Sequence, residues 1–195
     1  MMKHGGTVRL ETERLILRRF TLDDTEAMYR NWASDPVVTE YMTWPPHPSV
    51  EETRRVIGMW VEGYAESNGY QWAIELKSLG EPIGSIGVVR MNENVDECEL
   101  GWCIGSRWWG QGIMPEAASV VVKYLFEEVG ANRVAARHAV GNEKSGRVMQ
   151  KIGMVKEGVL RQSDRSNRGI SDCVQYSMLA CEYQKGAVQT RQTML

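Results

Sequence analysis

This chain is poor in several things that would have fixed its class at once. It has only two Phe and six Pro in 195 residues, and no apolar run approaches the length of a membrane span. The N-terminal stretch from Met1 to Glu13 is polar and lacks the apolar centre of a signal peptide. The four cysteines, Cys98, Cys103, Cys173 and Cys181, form no Cys-x-x-Cys pair, so they read as reduced packing thiols. His4, His47 and His138 are isolated from one another, so no metal-ligand spacing is visible and no metal is expected. The formal net charge is −2, with both signs interspersed, which argues against a dedicated nucleic-acid face. Together these point to one cytoplasmic domain, large enough to bury a substantial core, with no membrane or nucleic-acid partner.

What is present is concentrated in Arg107-Trp108-Trp109-Gly110-Gln111-Gly112-Ile113-Met114-Pro115-Glu116-Ala117. An apolar run, Glu99 to Ile104, precedes it, and a helical pattern follows. Two glycines one residue apart leave backbone N–H groups uncovered. A helix start behind them adds unpaired N–H groups and the positive end of the helix dipole. This combination suits a phosphate-bearing ligand, although Gly-x-Gly before a helix is also an ordinary tight turn. It is neither a Walker loop, since no Gly-Lys-Ser/Thr follows, nor the dinucleotide fingerprint, since position 115 is Pro.

The remaining chain reads as alternating strands and helices. Arg14 to Phe20 is strand-like, and Thr21 to Asp24 resembles a capping box that opens a helix to about Ala33. Asp35-Pro36 breaks that helix, and Trp44-Pro45-Pro46-His47-Pro48 is a proline-set connector. Ser49 to Glu52 caps a second helix that carries Val56, Ile57, Trp60, Val61 and Tyr64 at helical spacing. Three strand-like runs follow: Tyr70 to Lys77, Pro82 to Met91 and Cys98 to Ile104. A helix from about Pro115 to Val129, a strand from Arg133 to Val140, and a short helix capped by Asn142 come next. Met154 to Arg161 and Cys173 to Leu179 form a closing strand pair, with Gln162 to Ser171 expected as a long exposed loop. The expected domain is 9–183, followed by a polar tail, 184–195.

The loop resembles the acyl-CoA pyrophosphate loop of the GNAT N-acetyltransferase superfamily, and its Trp-Gly-x-Gly-x-x-x-Glu-Ala wording resembles the ribosomal-protein N-terminal acetyltransferase (RimJ/RimL-like) branch. Three other segments share the resemblance, which spans about Glu11 to Tyr183: Glu99 to Gly105, Asn142 to Met154, and Glu157 to Arg161 with Asp172 and Tyr176 to Leu179. The resemblance implies a mixed α/β, α+β GNAT-like fold with a central sheet of about seven strands splayed in the middle, flanked by about four helices. It implies acetyl-CoA as donor and a primary amine as acceptor. A protein or peptide N-terminal amine, as on a ribosomal protein, is the first acceptor to consider. A small amine such as a polyamine, amino acid or aminosugar is the alternative, and a non-catalytic acyl-CoA-binding regulator is a third reading. Either a monomer or a homodimer fits.

The resemblance also assigns roles. The backbone of Trp102, Cys103 and Ile104 would pair with the pantetheine arm. Gly110, Gln111, Gly112 and Ile113 would donate N–H groups to the pyrophosphate, and Arg107 would add a charge. Asn142 would reach the pantetheine amide, or simply cap its helix. An oxyanion would be met by a backbone N–H near Cys103 or Ile104. Glu99 is the candidate base, with Glu97, of the same strand parity, in reserve and Glu157 weaker. The family's Tyr four residues after the small residue of the Asn segment is here Met149, which cannot donate a proton; Ser145 is the nearest substitute. His138 reads as packing. Trp108 and Trp109 read as core residues before an adenine platform. No base is spaced to activate Cys103 as a nucleophile.

Overall fold

A computed structural model describes residues 1–184 of the chain; the expected tail falls almost wholly outside them. The strands are β1 (Leu10–Glu11), β2 (Leu15–Arg18), β3 (Gln71–Leu76), β4 (Glu81–Asn92), β5 (Glu97–Ile104), β6 (Arg133–Ala139), β7 (Val155–Ser166) and β8 (Gly169–Leu179). They form one eight-stranded sheet in the order β1-β2-β3-β4-β5-β6-β8-β7. Every neighbouring pair is antiparallel except β5 and β6. The strand added to the expected seven is β1, a two-residue pair with β2 too short to show periodicity.

Helix α1 covers residues 22–33, opening as a 3-10 turn and ending as a π turn. Its capping box forms with Asp24 in the Glu position: the Thr21 N–H donates to Asp24 Oδ2 at 2.8 Å. The Asp35 side chain then accepts from the Val37 N–H and caps a short α2 (Pro36–Thr39), which follows the expected break as a new helix. Helix α3 (Val50–Gly63) is capped by Ser49, α4 (Ile113–Tyr124) by Gly112, and α5 (Glu143–Lys151) by Asn142. Helix α4 starts before Pro115, which therefore sits in its first turn, and Gly130 closes its π-turn extension with a left-handed φ of 76°.

The two sheet faces bury different cores. Helix α4 covers one face, where Leu15, Trp72, Ile86, Leu100, Ile104, Val121 and Ala136 pack together. Helices α1 to α3 cover the other with Phe20, Trp32, Ile57, Ala73 and Cys103. Residues on β5 alternate between them: Cys98, Leu100 and Ile104 point to the α4 side and Cys103 to the other. Parity thus places Glu99 and Gly101 on the α1–α3 face with Cys103.

The expected exposed loop at Gln162 to Ser171 is instead the outer half of a β7–β8 hairpin with Asn167 and Arg168 at its tip. Its polar residues hide the strand period, because most of β7 faces water and the rest faces a cavity. The tip grips the arm after α2. Asn167 Nδ2 donates to the carbonyls of Thr39 and Trp44, both at 2.8 Å, and its N–H donates to Met42 at 3.0 Å. Arg168 bonds Glu40 at 3.0 Å and the Tyr41 hydroxyl at 2.8 Å. Replacing Asn167 by Ala removes two of these bonds and is expected to cost about 1–2 kcal/mol. Hydrogen exchange should then quicken over residues 39–44 and stay unchanged in β3 and β4. Equal protection in both proteins would show that the tip does not restrain the arm.

Candidate active site

The site follows from how β5 and β6 part. Their parallel pairing runs from Glu97–Arg133 to Leu100–Ala136 and stops there, although β5 continues to Ile104 and β6 to Ala139. On its other side β5 stays paired with β4 as far as Ile104. The Gly105 N–H donates to Ile83 of β4, and the Asp96 carbonyl accepts from Asn132 at the start of β6. Backbone alternation between these two fixed points turns the N–H and C=O groups of Trp102 and Ile104 toward the gap and those of Cys103 toward Ser85 of β4. The expectation for Cys103 is corrected here: its backbone faces the neighbouring strand. The Ile104 carbonyl accepts from Trp109 Nε1 at 2.9 Å, so the Trp102 groups and the Ile104 N–H are the ones aimed into the opening.

Two cavities meet at this gap. The first, about 680 Å³, runs past Gly110, Gly112 and Ile113 and along α5. Both glycines adopt left-handed φ, 77° and 74°, which a side chain would strain. The loop is tied down from below. Arg14 Nη1 donates to the Gln111 carbonyl at 3.0 Å and Arg14 Nε to Glu116 Oε2 at 2.7 Å. Thr12 donates to the same carboxylate at 2.6 Å. Burial alone would raise the Glu116 carboxyl, but these bonds hold it below its ordinary value. Glu116 is therefore the anchor of the loop.

Arg107 does not line this cleft. It is exposed, its guanidinium lies over the Trp108 ring at 5.2 Å, and its carbonyl accepts from the Gln111 side chain. Lys144, Arg147 and Lys151 of α5 supply the cations along the cleft instead. Trp108 is buried in the α4-side core. Trp109 is half-buried, with Lys144 Nζ 3.6 Å from its ring centre.

The second cavity, about 960 Å³, lies on the α1–α3 face beneath the gripped arm. Tyr41, Met42, Trp102, Cys103, Asn142 and Ser145 line both cavities and form the neck between them. The Asn142 side chain accepts from the Ser145 N–H at 3.5 Å, a cap that still leaves both residues on the neck. Met149 is buried at 1% exposure in the core. Cys103 Sγ lies 3.4 Å from Ser85 Oγ, and burial pushes its thiol above the ordinary value, which disfavours the thiolate.

Glu99 lines the second cavity, with Oε1 3.0 Å from Arg137 Nε. Arg137 also lies 3.4 Å from Asp164 of β7, so it bridges two carboxylates across the gap. Burial raises the Glu99 carboxyl above its ordinary 4.5, with Arg90 opposing and Glu97 and Asp164 reinforcing. The reserve bases are committed elsewhere. Arg133 pairs with Glu97, and both its terminal nitrogens donate to Glu157 at 2.6 Å. His138 is buried with Nδ1 2.9 Å from the Ala139 carbonyl, and it lines the same cavity. Arg137 was not singled out from sequence, although strand alternation on β6 was an available signal. The Tyr41 hydroxyl donates to the Gly141 carbonyl at 3.2 Å. Among the described residues, no group of three or more His, Cys, Asp or Glu could hold a metal ion. Nor is any helix among them long and apolar enough to cross a membrane.

A phosphate-suited loop, a splayed parallel pair and a carboxylate beyond the neck define an acyl-CoA-dependent acyltransferase. Comparison with known proteins agrees. Residues 14–155 match the acetyltransferase (GNAT) domain. The chain is 36% identical over 170 residues to an uncharacterized N-acetyltransferase, YoaA, of Bacillus subtilis, covering 87% of this chain and 96% of that protein. It is 29% identical over 162 residues to the [ribosomal protein uS5]-alanine N-acetyltransferase of Escherichia coli, covering 77% and 80% of the two chains. A GNAT-family acetyltransferase structure from Bacillus anthracis superposes with a TM-score of 0.77 at 26% identity, covering 89% of this chain and 99% of that one. The chain belongs to the GNAT acetyltransferase family, and it is an N-acetyltransferase.

Two substitutions probe the neck and the loop. Gly112→Ala forces a side chain into a left-handed conformation at about 1–2 kcal/mol. It should raise KM for the acyl donor with little change in the acceptor KM, read from initial rates. Met149→Tyr puts a phenol where the core is closed, so it should destabilise the fold by about 1–3 kcal/mol. A faster kcat in that variant would show instead that the position opens onto the neck.

Proposed function

We propose that the protein transfers acetyl from acetyl-CoA to the N-terminal α-amine of a protein or peptide. The observation that carries this reading is Glu99, a buried carboxylate in the cavity beyond the neck, next to where a thioester threaded through the gap would end. The pyrophosphate rests on the N–H groups of Gly110, Gln111, Gly112 and Ile113 and the positive end of α4. The pantetheine arm takes the place of the missing strand beside Trp102 and Ile104. Asn142 and Ser145 flank the sulfur end.

The amine must be neutral to attack the thioester carbonyl. At pH 7 removing its proton costs about 1 kcal/mol for an α-amine and about 4–5 kcal/mol for a lysine-type amine. Glu99 receives that proton, directly or through water, and a single modest base matches the smaller cost. The carbonyl oxygen, as charge develops on it, is met by the Ile104 or Trp102 N–H. The departing thiol has an ordinary value near 8.5 and needs little acid; the Ser145 hydroxyl can hydrogen-bond it. The relatives include a ribosomal-protein alanine acetyltransferase, which supports an α-amine acceptor.

A small polycationic acceptor is disfavoured. Among the arginines and carboxylates lining the acceptor cavity, Arg55, Arg90, Arg137 and Arg165 outnumber Glu52, Glu99 and Asp164. Replacing Glu99 by Gln should lower kcat/KM by about 10²–10³ while leaving acetyl-CoA affinity intact. Because burial raises the Glu99 carboxyl, the wild-type kcat/KM should fall as pH drops through an inflection above 4.5, and that acid limb should vanish in Glu99→Gln. Acetyl-CoA binding with no amine-dependent CoA release in either protein would support the non-catalytic reading instead.

A further inference from the structure

The acceptor cavity carries more positive charge around its carboxylate than a base requires. In β4 the register slips between Val88 and Arg90: Val88 opposes Leu100 and Arg90 opposes Glu99, with Val89 as the extra residue. Without this bulge Val89 would face Glu99. With it, Arg90 stands directly across from Glu99 on the same face of the sheet. The bulged Val89, 60% exposed, lines the cavity and fills the space above Gly101, where a Cβ would come within 2.7 Å of its Cγ1. One bulge, accommodated over Gly101, thus sets a second guanidinium across from a carboxylate that already has Arg137 at 3.0 Å.

A third guanidinium, Arg165, lines the cavity from the hairpin beside Asp164. Neither Arg90 nor Arg165 forms an ion pair among the described residues, whereas Glu99 and Asp164 share Arg137. When Glu99 takes up a proton, the positive excess grows further. Two buried side-chain polar atoms lack a hydrogen-bond partner among the described residues, Trp32 Nε1 and Ser171 Oγ, and both residues line this cavity. Trp32 is fully buried, and its indole N–H can only donate. Both guanidiniums are exposed to solvent at this cavity, so their donors are open to a ligand rich in acceptor oxygens.

We propose that the acceptor carries a carboxylate close to its reacting amine, received by Arg90 and Arg165, so that the preferred substrate is a peptide with an acidic residue next to its N-terminal residue. This rests on the α-amine reading above and narrows it. The free α-carboxylate of an amino acid offers the same chemistry and is separated by the test.

The test compares kcat/KM of the full chain with acetyl-CoA and peptides differing only at the second position, Ala-Glu, Ala-Gln and Ala-Lys, with free glutamate and spermidine as further acceptors. Glu is expected to exceed Lys by about tenfold or more, the weight of one charge-assisted contact. The preference should shrink to within about twofold in Arg90→Gln/Arg165→Gln and reverse toward lysine in Arg165→Glu, a change at an exposed hairpin position. A wild-type ratio near one, or the same ratio in the double variant, overturns the proposal while leaving the α-amine reading standing. Should Arg90→Gln fail to fold, Arg165→Gln and Arg165→Glu decide alone. Acetylation of free glutamate but of no peptide would keep the carboxylate requirement and discard the peptide. Preference for spermidine would overturn both.

Discussion

Everything in this molecule is arranged around backbone groups that have lost their strand. A sheet interior normally satisfies each N–H and C=O through its neighbours, and leaving one buried and unpaired is costly. Here β5 loses β6 after Leu100 while keeping β4, so Trp102 and Ile104 turn hydrogen-bonding groups into an opening in the middle of the sheet. The fold closes part of that deficit itself: Trp109, from the loop that follows, donates to Ile104. The remainder matches an extended amide-bearing ligand, which pairs with backbone and needs no particular side chain. β5 and β6 are parallel and joined through α4, so no hairpin turn holds their far ends together.

The same parting divides the work between the two faces. Gly110, Gly112 and the start of α4 lie along one cavity, while Glu99, Arg137 and Asp164 lie in the other, and the neck residues belong to both. Placement on the second face depends on contacts distant in sequence. The hairpin tip at Asn167 and Arg168 holds residues 39–44 as a roof. Arg133 collects Glu97 and Glu157 at the closed end of the β5–β6 pair, which leaves Glu99, paired with Arg137, as the strand's carboxylate nearer the opening. Arg133 is held well above the ordinary guanidinium value by its bonds to Glu157 and Glu97, as expected of a cation locked between two carboxylates.

Sequence pattern revealed the donor side well and the acceptor side poorly, for physical reasons. The loop at Gly110 to Ile113 depends on local geometry, and local geometry is written in glycines, a helix start and an anchoring Glu116. Strand parity puts Glu99 and Glu97 on one face. It could not separate Glu99 from Glu97, because the difference is Arg133, thirty-odd positions away and visible only once β5 and β6 lie side by side. Arg107 looked like a phosphate contact from spacing alone, yet the Trp108 ring offers its guanidinium a nearer seat. The hairpin at Gln162 to Ser171 was read as loop because a strand with wet residues on both faces has no hydrophobic period to show. The bulge at Val89 left no composition signal, since Val is as welcome in a regular strand as in an irregular one.

The chemistry of Glu99 follows from opposed influences on one carboxylate. Burial favours its neutral form and so makes it willing to take a proton; Arg90 and Arg137 favour the anion and so keep it ready to do so. A carboxylate left in water would be ionised but a feeble base. One buried without cations would hold its proton permanently. Asp164 completes the balance by sharing Arg137, which weakens that cation's hold on Glu99 without removing it. An α-amine, the easiest primary amine to deprotonate near neutrality, is the acceptor for which such a compromise suffices. On the proposed reading, a Glu99 base, the two guanidiniums beside it and an α-amine acceptor all answer one requirement: the proton must leave the amine before the carbon–nitrogen bond can form.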